Sequence, residues 1–416
     1  MEGANMWLKS NPGLRVWKCE TVERKVETGP IVHLDNTVHH ESAFGVNVYV
    51  FGVRMWLTRR QDPKEPVQEL GLLSVPPPIK EIPVAMAYGG YGAMMMGMHG
   101  GAMMGMPVMT MRFGRRRGRV AMVTHGTVQT YESLSKAVDN FNEVTQSDPL
   151  PGSILNVETT AVKFGSNSSE READPDVTSW SENGGNFKMR RFTKILRVFY
   201  VKGPPKKESL KMQTFLPRVL REPQWNVAAQ FEPFDTVLQN AQRWLQTQSG
   251  IRVVNIETRD AEYQSGFGQP VQIGHESTDD IVTGMKDRDL VRFLRVFYVT
   301  APEMTSYANT TLTSRLFVPC PLGGRGRETM TQTMTRINAW LNVVGLPIFS
   351  VESVPYLMSG ATSVNTDQCN YKHSTRTGNY WLTCVRLYFP TPFQEPPAHM
   401  LPAPPANSKS SSCVIL

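Results

Sequence analysis

The hexapeptide LRVFYV stands at residues 196–201 and again at 294–299, and the match does not stop at six residues. WLQTQSGIRVVNIET, residues 244–258, aligns without a gap on WLKSNPGLRVWKCET, residues 7–21. Looser copies follow in AWLNVVGLPIFSVES (339–353) and NFNEVTQSDPLPGSILNVET (140–159). Some tens of residues after each copy comes an aromatic apolar run: NVYVFGVRMWL, ILRVFYV, FLRVFYV and WLTCVRLYF. Self-similarity of this kind marks a repeat architecture, here four copies of one unit.

The third copy gives the unit its physics. MQTFLPRVL alternates and reads as a strand, and FDTVLQNAQRWLQTQ sets Phe234, Leu238 and Leu245 on one helical face. Gly250 stops that helix, as Gly13, Gly152 and Gly345 do in the other copies. IRVVNIET and RFLRVFYV are then rich in β-branched and aromatic residues. The expected fold is therefore α+β: tandem β-α-β-β units, each a helix packed on a small antiparallel sheet, with the first unit lacking its opening strand and most of its helix. The divisions are 1–60 for the partial first unit and 61–105 for a Pro-rich and Met/Gly-rich linker. Units two to four take 106–203, 208–302 and 305–392, and 393–416 is a Pro/Ser-rich tail. Units of 90 to 100 residues are large enough to be expected to fold alone, and the polar loops from Gly165 and Ser265 read as binding surface or disorder.

One pair of residues recurs at one place. Glu20, Glu158, Glu257 and Glu352 lie on the second strand of each unit, and Arg54, Arg197, Arg295 and Arg386 on the third. Antiparallel pairing would set each Glu across from its Arg as an exposed pair that fixes register. The competing reading is a repeated anion or peptide site, with each Arg beside the aromatics Trp56, Phe199, Phe297 and Tyr388.

At 416 residues, 40% apolar and 19% charged, the chain is mostly globular. Its net charge of +7 favours acidic partners, whether lipid head groups, nucleic acid or proteins. The N-terminus has no apolar signal region, and Cys19, Cys320, Cys369, Cys384 and Cys413 have no paired spacing, so free thiols in a reducing compartment are expected. The sequons at Asn167 and Asn309 would then go unused.

Between the first two units, MAYGGYGAMMMGMHGGAMMGMPVMTM (86–111) carries no charged residue. It reads as a low-complexity linker. Two other readings are a membrane span with a small-xxx-small ladder at Ala93, Gly97, Gly101 and Gly105, and a soft-metal segment that resembles methionine-rich copper sequences around His99. RFGRRRGR follows, a basic patch of Arg112, Arg115, Arg116, Arg117 and Arg119 suited to phosphates or nucleic acid.

No catalytic motif is present: there is no P-loop, GxGxxG, HExxH, GxSxG or CxxC, and the histidines are scattered, so no catalytic residue, metal or cofactor is assigned. The C-terminus is more informative. After a proline-rich spacer and a serine run, CVIL resembles a CaaX prenylation box, with Cys413 as acceptor, Val414 and Ile415 as the aliphatic pair, and Leu416 favouring geranylgeranyl. The resemblance implies a lipid anchor on the cytoplasmic face of the plasma membrane or an endomembrane. The expected function is thus a non-enzymatic, lipid-anchored repeat protein acting as a scaffold toward an unknown protein partner, helped by anionic lipid. Polyanion binding through Arg112–Arg119 comes second and an unrecognised enzyme third.

Overall fold

The computed structural model of the chain describes residues 1–26, 32–41, 46–62, 64–83, 127–163, 173–183, 189–224, 227–264, 270–283, 287–300, 306–323, 326–358, 364–374 and 378–403. The basic patch, the methionine tract and the CaaX box lie outside the described residues.

The expected helix-on-sheet α+β repeats are corrected by the structure. Of the described residues 51% lie in strands and 18% in helices, and the antiparallel sheets are set around a common axis like the blades of a four-bladed β-propeller. The innermost strand of each blade is Leu14–Val26, Leu150–Lys163, Ile251–Gln264 or Ser350–Leu357, and these four line the axis side by side. Each pairs antiparallel with a long strand of its own unit: Val46–Arg59, Met189–Lys206, Arg288–Thr300 or Asn379–Phe389. In blades two to four the other edge of the long strand carries an opening strand, Leu70–Val75, Leu210–Phe215 or Thr313–Phe317.

Beside that opening strand, each blade takes a strand from the unit that follows it. Ser179–Asn183 of unit two pairs with the long strand of unit one, and Asp279–Thr283 of unit three with that of unit two. Asn370–His373 of unit four pairs with unit three, and Val38–Glu41 of unit one closes the circle on unit four. These strands lie within or beside stretches that read as polar loops. At four or five residues they have too few side chains to signal a strand by alternation, and their ladder partners belong to a neighbour. No unit supplies a whole blade, so the sheets are interlocked.

The helices fill wedges between blades. They are α1 (Glu2–Ser10), α2 (Leu134–Ser147), α3 (Phe234–Gln246) and α4 (Met330–Val344). The core around α2 joins Leu196 and Val198 of blade two to Leu210, Phe297 and Val299 of blade three. The α3 core likewise joins Leu294 and Val296 to Leu312 and Tyr388, and the α4 core joins Val385 and Leu387 to Trp17 and Trp56 of blade one. An amphipathic stripe shows that a helix has one apolar face; it does not say that two sheets share it. Helix α4 has a Thr329–Gln332 capping box and ends at Gly345, whose φ of 68 puts it in the left-handed region where glycine carries no Cβ penalty. The start of the tail also packs, with Phe393 against Trp340 and Phe389, and Glu395 bound by Arg315 and the Trp340 indole N–H.

Candidate functional site

The recurring Glu and Arg do face each other in register: Glu20 and Arg54, Glu158 and Arg197, Glu257 and Arg295, Glu352 and Arg386. The pairs are buried rather than exposed, Glu257 at 3% and Arg295 at 1% accessibility, except that Arg54 is half-buried. The inner strands turn these glutamates toward the neighbouring blade, where each carboxylate meets the residue that follows the glutamate in the preceding unit. The Thr21 N–H donates to both Glu158 oxygens at 2.9 and 3.0 Å. The Thr159 N–H and hydroxyl donate to Glu257 at 3.0 and 2.7 Å, and those of Thr258 to Glu352 at 2.6 and 2.5 Å. The Ser353 N–H and hydroxyl donate to Glu20 at 3.0 and 2.7 Å, which closes a four-membered ring of bidentate links around the axis.

The arginines brace the same joints. Arg197 donates to the Thr21 hydroxyl and Arg295 to the Thr159 hydroxyl, each at 2.9 Å, while Arg54 reaches both Glu20 and the Ser353 hydroxyl. In unit four the Tyr388 hydroxyl takes this place, 2.7 Å from Glu352 and 3.2 Å from the Thr258 hydroxyl, and Arg386 turns to the Tyr356 hydroxyl at 2.6 Å. Burial works against ionised Glu257, yet Arg259 and Arg295 beside it hold its carboxyl below the usual range. Burial pushes Glu158 upward, against the hydrogen bonds from Thr21.

Two residues nearer the start of each inner strand the four units differ: Lys18, Asn156, Asn255 and Ser350. Asn156 brackets the Cys19 peptide, accepting from its N–H at 3.0 Å and donating to its carbonyl at 2.8 Å, and Asn255 donates to the Val157 carbonyl at 2.6 Å. Lys18 does the corresponding work in unit one, reaching the Val351 carbonyl at 2.5 Å. Its longer arm also donates to Asn255 Oδ1 of the opposite unit and to the Ser350 hydroxyl. Burial lowers the Lys18 ammonium below 10.5, although Glu352 and the other ring carboxylates oppose that.

Lys18 is the floor of a pocket of about 770 Å³ at the end of the axis where the inner strands begin. All four units contribute to it, with Trp17 and Phe349 among the apolar walls. Five basic side chains, Arg15, Lys18, Lys202, Lys206 and Arg252, face three acidic ones. Each acid is already paired: Glu65 with Arg15 at 3.5 Å, and Glu69 with Lys202 and Glu208 with Arg252 at 2.6 Å. Lys18 and Lys206 are left without a carboxylate ion pair among the described residues, so the lining has two more basic than acidic side chains, with the four ring carboxylates lying behind Lys18.

The sequence reading found the Glu and Arg but missed the Thr and Ser partners and Lys18. The signal was in the aligned quartets KCET, NVET, NIET and SVES, where one column is constant, the next nearly so, and the first is not. Cys413, Val414, Ile415, Leu416 and Arg112–Arg119 lie outside the described residues. Among the described residues no helix is long and apolar enough to cross a membrane, and no cluster of His, Cys, Asp or Glu could hold a metal ion. Cys19, Cys369 and Cys384 are free and buried, and burial pushes their thiols up to about 12. The chain matches no family model, no curated protein and no solved structure with which it was compared.

Proposed function

We propose that this chain is a non-enzymatic binding module that takes a small organic anion, a carboxylate or phosphate, in its axial pocket. We further propose that a geranylgeranyl group on Cys413 holds it at the cytoplasmic face of a membrane, where it acts as a scaffold. The observation that carries the ligand reading is the pocket itself: four units converge on it, its volume suits a drug-sized or nucleotide-sized ligand, and its acids are all neutralised while Lys18 and Lys206 are not. An anion there would also favour the protonated form of Lys18, so affinity should fall as pH rises toward 10.5. The C-terminal Cys-Val-Ile-Leu supports the tether. One lipid gives only marginal anchoring, and Arg112–Arg119 is the basic segment suited to add a second contact with anionic lipid.

The ligand reading is tested by titrating the protein with citrate and with a nucleoside diphosphate while following tryptophan fluorescence, Trp17 being in the wall. Saturable binding that weakens at least about tenfold in Lys206→Glu and in Lys18→Met supports it, since each removes charge from a confined site. Binding that ignores both substitutions, or no binding to either probe, overturns it. The tether is tested by intact mass of protein made in eukaryotic cells. An unmodified chain ending at Leu416 would remove it, and salt-sensitive nucleic-acid binding that depends on Arg115, Arg116 and Arg117 would then put polyanion binding first.

A further inference from the structure

Among the described residues, blade one is one strand short. In the other blades the stretch of long strand around the recurring arginine is paired on its outer edge over five or six residues, 196–201 by 70–75, 294–299 by 210–215 and 385–389 by 313–317. The corresponding stretch of Val46–Arg59, aligned through Arg54, is residues 53–58. Its outer edge is covered by Ser179–Asn183 only as far as Val50, with one more bond from the Phe51 N–H to the Thr178 carbonyl. Among the described residues nothing pairs with that edge from 53 to 58.

Three observations show that the place is shaped for a strand. Val53 is 38% exposed where its counterparts Leu196, Leu294 and Val385 are all at 0%. The indole N–H of Trp56, at the position of Phe199 and Phe297, is buried without an acceptor among the described residues. The third concerns a clamp. Asn5 on α1 brackets the first residue of the next unit's opening strand, donating to the Leu70 carbonyl at 2.9 Å and accepting from its N–H at 2.8 Å. Asn142 on α2 brackets Leu210 in the same way, both bonds at 2.8 Å. Matching the buried stripes of α2 and α4, Phe141 to Ile337, puts Asn338 where Asn142 stands. Asn338 is exposed and makes no hydrogen bond with the described residues, and α4 packs on Trp56 of blade one. Helix α3 departs from this rule, reaching the Thr310 carbonyl through Gln246 instead.

We infer that blade one is completed in trans by an extended segment of another protein, added antiparallel along residues 53–58. Two of the three strands that fill this slot elsewhere agree on its chemistry, while TSRLF departs from it with Ser314 at the third position and Leu316 opposite Arg386. LGLLSV and LKMQTF put an apolar residue at the first, third and sixth positions and Ser or Thr at the fifth, opposite the arginine. Main-chain hydrogen bonds supply affinity in strand addition, and the side-chain positions supply selectivity. An unpaired edge with apolar residues also invites wrong partners, which is why such edges are usually covered.

The probe is this chain's own strand, a capped peptide of residues 208–217, ESLKMQTFLP, labelled and titrated into the full chain by fluorescence anisotropy. Expected are saturable binding, loss of binding when the peptide carries Asp for Leu210 and Met212, and a weakening of about fivefold or more in Asn338→Ala protein, which loses two clamp bonds on an exposed helix face. No binding to a folded chain, or binding equal for the native and Asp peptides, overturns the inference. So does a dimer that Leu57→Lys dissociates, which would make a second copy the occupant. Peptide binding that appears only after residues 84–126 are deleted would make that segment the occupant and would overturn it too.

Discussion

Glu20, Glu158, Glu257 and Glu352 are one residue type at one place in four units, whereas two residues earlier the same strands carry Lys18, Asn156, Asn255 and Ser350. Both layers surround the axis, and both are buried or nearly so. The uniform layer is saturated: each carboxylate is held by the neighbouring unit's backbone and hydroxyl, and the ring closes on itself. Two members of the irregular layer, Lys18 and Ser350, line a pocket, and Lys18 is a cation with no carboxylate ion pair among the described residues. Four-fold repetition serves closure, because every joint has the same geometry to satisfy. Departure from it marks where the molecule has something other than closure to do.

That contrast can be broken at the scale of whole units first. A fragment of residues 208–302 retains Glu257 but loses Thr159, which binds it, and Glu352, which binds Thr258. It also loses the strand that unit four lends to its sheet. The fragment is expected to be unfolded by circular dichroism and proteolysis while the whole chain is folded. A cooperative transition in the fragment would show that the ring joins units already stable alone.

A single joint comes next. Glu257→Ala leaves Arg295, at 1% accessibility, without its carboxylate and strips acceptors from Thr159. Removing one partner of a buried pair costs about 3–5 kcal/mol, and the denaturant midpoint should fall accordingly. A loss near 1 kcal/mol, the range of exposed pairs, would mean that the ring is not saturated as described.

Lys18→Met sharpens the comparison from the other layer. It removes a desolvated cation, which is favourable, takes the Lys18 donor from the Val351 carbonyl and leaves Asn255 Oδ1 only the Ser350 hydroxyl at 3.5 Å, at about 1–3 kcal/mol for each lost donor. The opposing contributions should leave stability within about 2 kcal/mol of the parent, well short of the Glu257 variant. A loss as large as that of Glu257→Ala would place Lys18 among the structural joints and weaken its reading as a pocket floor.

The repeat, its strands and the Glu–Arg register were legible because a period of two and an internal ruler survive in one sequence. The ring partners were legible in principle, since Thr or Ser follows every one of the four glutamates. The interlocked sheets were not: VHHE, SWSEN, DDIVT and NYKH are too short and polar to announce strands, and their stability comes from another unit's ladder. Nor was the blade arrangement, because the apolar face of Phe234, Leu238 and Leu245 reads the same whether it covers one sheet or wedges between two. Lys18 has no signal of its own in the sequence, and only the fold places its column on the axis.

The smallest expected effect is in pH dependence, and it separates the two layers by the pH window in which each titrates. Burial puts the folded pKa of Lys18 below 10.5, its ordinary value, so between those two values the unfolded chain binds a proton that the folded chain lacks. Stability therefore rises with pH in that window, by at most about 1.4 kcal/mol per pH unit for one group. Lys194, lowered to about 8, acts in the same direction but is present in parent and variant alike, so it cancels in their difference. Relative to Lys18→Met, the parent should gain stability as pH climbs toward 10.5 and stop gaining above it. The ring titrates at the other end. Glu257, held below 4.5, contributes stability above that value and loses it as pH falls through its folded pKa, whereas Glu158, raised by burial, contributes below 4.5 and loses it as pH rises. Denaturant midpoints of parent and Lys18→Met from neutral pH to about pH 10 measure the first slope. A flat difference across that range would mean that Lys18 holds its proton in the fold as well as it does in the unfolded chain, with the ring carboxylates offsetting its burial.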